Sequence, residues 1–185
     1  MHMETRTDRT FARSRLWLDA ARLVGLMTLA LVIPLLGLPQ WLTGPLVNAL
    51  LLLTVEWVGV SQAILVGMVT PLGGAVSGVL PLPLLAMIPF VALGNATLVS
   101  VYGALRARNR WLALGVAAVA KFALLAIAVT VLVARPLSIV IAGEAQTLAL
   151  PLGIVEMMRW PQLATALAGG IIAFGASALA RRSSR

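Results

Sequence analysis

The sequence predicts an all-α fold: an integral membrane bundle of six transmembrane helices with both termini inside. Three observations predict it. Of 185 residues, 61% are hydrophobic and 11% charged, and the mean hydropathy is +1.01. A soluble domain carries about 45–50% apolar and about 25% charged residues, so this chain has too few charges to coat a globule in water. Its apolar residues fall into six runs of about 20, the length that crosses a hydrocarbon core of about 30 Å at about 1.5 Å per residue. The arginines gather between alternate runs.

After a basic tail at 1–15 with Arg6, Arg9, Arg13 and Arg15, the first run covers 16–38. It is longer than a signal-peptide core and lacks a small-x-small cleavage site before Gln40, so it is read as a retained helix. The second run covers 41–58 and the third 61–80, where Gly73, Gly74 and Gly78 allow a broken or re-entrant segment. The fourth covers 82–105, the fifth 111–134 and the sixth 160–180. Prolines cluster at or within a turn of these ends, as a residue without an N–H should. A long external connection is expected at 135–159 and a second basic tail at 181–185.

Lysine and arginine in short loops favour the cytoplasmic side. Six spans put Arg106, Arg108, Arg110, Arg181, Arg182 and Arg185 on the same side as the N-terminal arginines. Only Arg135 and Arg159 then lie outside, with Arg22 in the first turns of the first helix. An odd number of spans spoils this partition. The net charge of +8 is therefore read as topology, with no nucleic acid implied.

Several chemistries are excluded. With no cysteine there is no disulfide, thiolate metal site or cysteine nucleophile, and the single histidine, His2, cannot supply bis-histidine haem ligation within the membrane. The sequence has no Walker loop, no His-Glu-x-x-His motif and no Gly-x-Ser-x-Gly elbow. Its acids, Glu4, Asp8, Asp19, Glu56, Glu144 and Glu156, are too sparse for a cation cage, and Met157 and Met158 read as apolar filler. No catalytic set, metal site or cofactor is expected, and the chain is read as non-enzymatic.

The informative residues are polar groups inside apolar runs. Lys121, the only lysine, stands near the middle of the fifth run. An ammonium there costs about 2.5–3.5 kcal/mol on insertion scales, so it should face protein or water. Either it opposes an anionic ligand, or it snorkels or pairs with Glu56 for stability. Asn48, Asn95 and Gln162, with Thr165 nearly one turn after Gln162, lie in or near other runs. Each amide alone is equally well explained by interhelical hydrogen bonding. Together with Lys121 they point to a cavity opening outward, with Arg159 in the external connection as a second counter-charge. Trp41 and Trp160 border the same face and read first as interface anchors. The pairs Ala166/Gly170 and Gly169/Ala173, spaced by four, are expected to pack helices within the chain, whereas Ala21 and Gly25 leave docking of another subunit open.

One family fits this order of segments. Thr43-Gly-Pro-Leu-Val-Asn-Ala is followed by Glu56-Trp-Val-Gly-Val and Gly67-Met-Val-Thr-Pro-Leu-Gly-Gly. Then come Ile88-Pro-Phe-Val-Ala-Leu-Gly-Asn-Ala, a basic loop, Ala120-Lys-Phe and Trp160-Pro-Gln-Leu-Ala-Thr-Ala-Leu-Ala-Gly-Gly. In spacing and hydropathy over 16–180 the chain resembles the substrate-binding S components of energy-coupling factor (ECF) transporters. The resemblance implies a six-helix subunit of the cell membrane that captures a vitamin, precursor or similar micronutrient from outside. It also implies docking on a transmembrane coupling protein driven by ATPase subunits. The family's alanine-rich docking face on the first helix maps to Ala20, Ala21 and Gly25, with glycine in place of an alanine and Arg22 nearby. The ligand itself stays open. The alternative reading is a membrane anchor or assembly subunit of a larger complex. A stand-alone secondary carrier ranks last, because the halves show no convincing inverted repeat.

Overall fold

The computed structural model describes residues 6–76, 82–135, 137–141 and 144–183. Six long helices carry the fold: α1 (Arg6–Leu35), α2 (Gln40–Trp57), α3 (Val60–Val76), α5 (Ile88–Leu105), α6 (Arg110–Ala134) and α8 (Trp160–Ser183). Two short helices, α4 (Leu82–Leu85) and α7 (Leu152–Met157), and a hairpin of β1 (Leu137–Ile141) and β2 (Glu144–Leu148) lie between them. Packing runs as a closed circuit, α1 on α3, α3 on α5, α5 on α6, α6 on α8, α8 on α2 and α2 back on α1. Helix α2 also reaches α3 and α5.

Four stretches are long and apolar enough to cross a membrane: Trp17–Leu35, Ile88–Leu105, Arg110–Ala134 and Leu152–Ser183. This is consistent with a multi-pass membrane protein. The other two long helices fall short for different reasons. Helix α3 is apolar but has only 17 residues. Helix α2 has 18 but carries Gln40, Asn48 and Glu56. Its middle, Val47 to Leu52 with Thr54 and Val55, is buried among the other helices, as befits a helix enclosed by protein.

Side chains of α2, α3, α5, α6 and α8 build the main core, in which Leu51, Leu52, Val66, Leu98 and Val99 are fully buried. The α2–α8 approach depends on Gly169. A Cβ there would lie 2.6 Å from Asn48 Cβ and 2.7 Å from the Pro45 carbonyl oxygen. With Ala166, Gly170 and Ala173 also buried, the small residues of α8 serve packing within the chain.

The structure differs from the expected segments in four places. Helix α1 begins at Arg6, so much of the expected N-terminal tail is helical. Helix α3 runs unbroken through Gly73 and Gly74, while Gly78 lies outside the described residues. The fourth run is split: α4 ends at Leu85, a turn follows, and α5 starts at Ile88 with Pro89 in its first turn. A proline accepts that position at no cost in hydrogen bonds. Finally, within the otherwise helical fold the 135–159 connection carries a small hairpin, β1 and β2 pairing antiparallel from Leu137↔Leu148 to Ile141↔Glu144. The β-branched run Ile139, Val140 and Ile141 favours a strand there. After the hairpin, Ile154, Val155 and Met158 bury against Met87, Leu125, Val129 and Leu132 in a second, smaller core.

Candidate functional site

Lys121 is the twelfth residue of the 25-residue helix α6, and its side chain is buried at 3% exposure. Its Nζ donates to Asn48 Oδ1 at 2.7 Å and to Asn95 Oδ1 at 2.8 Å. The ammonium is thus held by amides from two other helices, α2 and α5. Neither structural alternative raised for it applies. Glu56 is engaged elsewhere, accepting from Tyr102 Oη at 2.6 Å and lying 3.8 Å from Arg106. Nor does the amine snorkel outward, because both of its acceptors are themselves buried.

The orientation of each amide has a local cause. Pro71 has no N–H, so the Gly67 carbonyl, four residues earlier in α3, lacks its helical donor. Asn95 Nδ2 supplies one at 3.0 Å. A carbonyl only accepts, so this bond fixes which end of the Asn95 amide faces Lys121. Gly67 permits the approach, since a Cβ there would meet Asn95 Cβ at 3.0 Å. On the other side, Asn48 Nδ2 points to Thr165 Oγ1 at 3.5 Å, and Thr165 Oγ1 donates to the Gln162 carbonyl at 3.2 Å. A lysine ammonium has three donors. Two are taken by the asparagines, which leaves one for whatever stands beside them.

Beside them is a cavity of about 210 Å³. Asn48, Asn95, Lys121 and Gln162 line it together with Gln40, Thr43 and Thr70. Its remaining wall is mostly apolar, with Pro34, Leu38, Val47, Leu84, Met87, Ile88, Val91 and Met158. Most of these residues come from the C-terminal ends of α1 and α3 and the N-terminal halves of α2, α5 and α8, so the cavity runs from one end of the bundle inward to Lys121 at the middle of α6. Gln162 is held from outside this wall, its Nε2 donating to the Met157 carbonyl at 3.3 Å. No group of acidic or histidine side chains among the described residues could hold a metal ion.

Four of the residues singled out from sequence therefore converge: Asn48, Asn95, Lys121 and Gln162. Thr165 is buried behind Asn48 and supports it without lining the cavity. Arg159 is not brought to the site; it is 40% exposed and lies 4.0 Å from Glu156 on its own turn. Trp41 and Trp160 are exposed, Trp160 stacking on Phe122 with centroids 4.9 Å apart. On α1, Ala20, Ala21 and Gly25 lie on the exposed side, whereas Leu26 and Ala30 face the core. Sequence reasoning missed Gln40, Thr43 and Thr70. The signal was present for the first two, because positions 40, 43, 44, 47 and 48 share one face of a helix at the spacing of three and four.

Comparison of the chain with protein-family models, with curated proteins and with solved structures finds no match.

Proposed function

We propose that this chain is a non-enzymatic membrane subunit that captures a small molecule bearing an anionic group, and that Lys121 is the counter-charge for that group. One observation carries the reading: a buried ammonium, held among the described residues by two neutral amide oxygens, borders a cavity and keeps a third donor for a guest. Apolar walls would supply affinity, while Asn48, Asn95 and Gln162 would orient the ligand. The volume of about 210 Å³ falls below the roughly 300–1,000 Å³ of drug-sized sites, which favours a compact guest such as a vitamin precursor carrying a carboxylate or phosphate.

In this reading the six long helices are six spans, with the N- and C-termini in the cytoplasm and the cavity at the outer end of the cell membrane. The arrangement of arginines supports that orientation. The exposed face of α1, with Ala20, Ala21 and Gly25, would dock on a transmembrane coupling protein energised by ATPase subunits, as the ECF resemblance implies. The experiment is mass spectrometry of small molecules retained by the protein after purification in mild detergent. Wild-type protein is expected to carry an anionic compound that Lys121→Met loses while remaining inserted and folded. Equal retention by the two proteins removes Lys121 from the site.

A further inference from the structure

The polar side chains around the Lys121 cavity have little freedom in which atom they offer. Asn95 Nδ2 donates to the Gly67 carbonyl at 3.0 Å, Asn48 Nδ2 to Thr165 Oγ1 at 3.5 Å and Gln162 Nε2 to the Met157 carbonyl at 3.3 Å. Gly67, Thr165 and Met157 all lie outside the cavity wall. The two carbonyls only accept, and the Thr165 hydroxyl hydrogen already goes to the Gln162 carbonyl, so no amide can turn over without losing its bond. The threonines of the wall behave alike. Thr43 Oγ1 donates to the Leu38 carbonyl at 2.9 Å, and Thr70 Oγ1 to the Val66 carbonyl at 2.7 Å. With their nitrogens and hydroxyl hydrogens bonded to protein, these five side chains present oxygens. Lys121 supplies hydrogens from deep inside, and Gln40, the first residue of α2, stands apart from the pattern.

Charge narrows the guest further. Among the residues lining the cavity, Lys121 alone is charged. A buried charge is tolerated when it is paired and neutralised. One carboxylate leaves the pair neutral, whereas a phosphate ester at about −1.5 to −2 adds surplus negative charge among neutral oxygens. An ammonium elsewhere on the guest would add surplus positive charge. The hydrogens that meet the wall oxygens are therefore those of a neutral donor.

The spacing of the oxygens follows from the helices that carry them. Thr43 lies five residues before Asn48 in α2, and Gln162 three before Thr165 in α8. At about 1.5 Å per residue both are displaced by about 5–8 Å from the asparagine level toward the open end. Val47, Met87 and Val91 supply apolar wall to the same cavity.

We propose that the guest is a compact monocarboxylic acid with neutral hydroxyl or amino hydrogens at the end opposite its carboxylate. The carboxylate pairs with Lys121, and the oxygens of Gln162 and Thr43 accept those hydrogens. This assignment of class rests on the capture of an anion by Lys121 proposed above, and it selects the carboxylate over the phosphate.

The test is isothermal titration calorimetry of the full chain in mild detergent with four probes: p-hydroxybenzoate, p-methoxybenzoate, benzoate and phenyl phosphate. The methoxy compound keeps ring, carboxylate and oxygen but has no hydrogen to give. Wild-type protein should bind p-hydroxybenzoate about tenfold more tightly than each of the others. Gln162→Leu should narrow the gap between p-hydroxybenzoate and benzoate, and Lys121→Met should abolish binding of both. Equal, Lys121-dependent binding of the three carboxylates, or phenyl phosphate as the tightest probe, overturns the class while leaving capture of an anion in place. Binding of none of the four, or binding indifferent to Lys121→Met, overturns both. The comparison of probes on wild type decides the class even if Gln162→Leu fails to fold.

Discussion

The two ends of the bundle manage positive charge in opposite ways. At the Lys121 end a single ammonium is enclosed, and neutral amides from two other helices hold it at 2.7 and 2.8 Å. At the other end Arg106, Arg110 and Arg181 line a pocket with Glu56, and Arg106 lies 3.8 Å from that carboxylate. Within the bundle no counter-charge can be imported from water, so dipoles must be fixed by helix packing. At the other end solvent can complete the balance, and geometry can be loose. Stability should therefore depend on packing at the first end and on ionic conditions at the second.

The largest effect should come from striking the packing that positions Asn48. Gly169→Ala places a Cβ against Asn48 and the α2 backbone, and overpacking of that kind costs about 2–3 kcal/mol. Reversible unfolding in a detergent–SDS titration measures it; an unchanged midpoint would mean that the α2–α8 contact yields freely and does not hold the amide. Next comes Asn95→Leu, which takes an acceptor from Lys121 and a donor from the Gly67 carbonyl. Stranding those partners should cost about 2 kcal/mol. Adding Lys121→Met should cost less than the sum, since the ammonium no longer needs that oxygen. Strict additivity in the double-mutant cycle would show that the two side chains act independently. The smallest effect belongs to Glu56→Gln, which keeps an acceptor for Tyr102 and loses only a part-exposed ion pair. That change should cost under about 1 kcal/mol and shrink as salt is added. A salt-insensitive loss as large as that of Asn95→Leu would erase the contrast between the ends.

Much of this arrangement can be read before any coordinates, and the reason is chemical. Lys121, Asn48, Asn95 and Gln162 stand out because polar groups in apolar runs need partners, and needing partners draws them together. Arg159 also looked like a candidate, but a charged residue in a connection finds water as easily as a site, and it stays with Glu156. Thr70 gave no signal, since its hydroxyl is satisfied by the Val66 carbonyl in its own helix at 2.7 Å. Hydropathy likewise could not separate α4 from α5, because both sides of the break are apolar and only the turn before Pro89 divides them. Strand pairing across 137–148 was hidden for a related reason: Glu144 to Leu148 carries no strand-favouring run of its own.

Pro71 has a consequence that reaches well beyond α3. Were an alanine to stand there, the helix would close its own ladder at Gly67, and Asn95 would be at liberty to turn its amide over and offer hydrogens toward Lys121 instead of oxygen. Two positive ends would then face each other in the middle of the protein. The polarity of the chamber is in that sense written one helix away, by a residue that contributes only a refusal to donate.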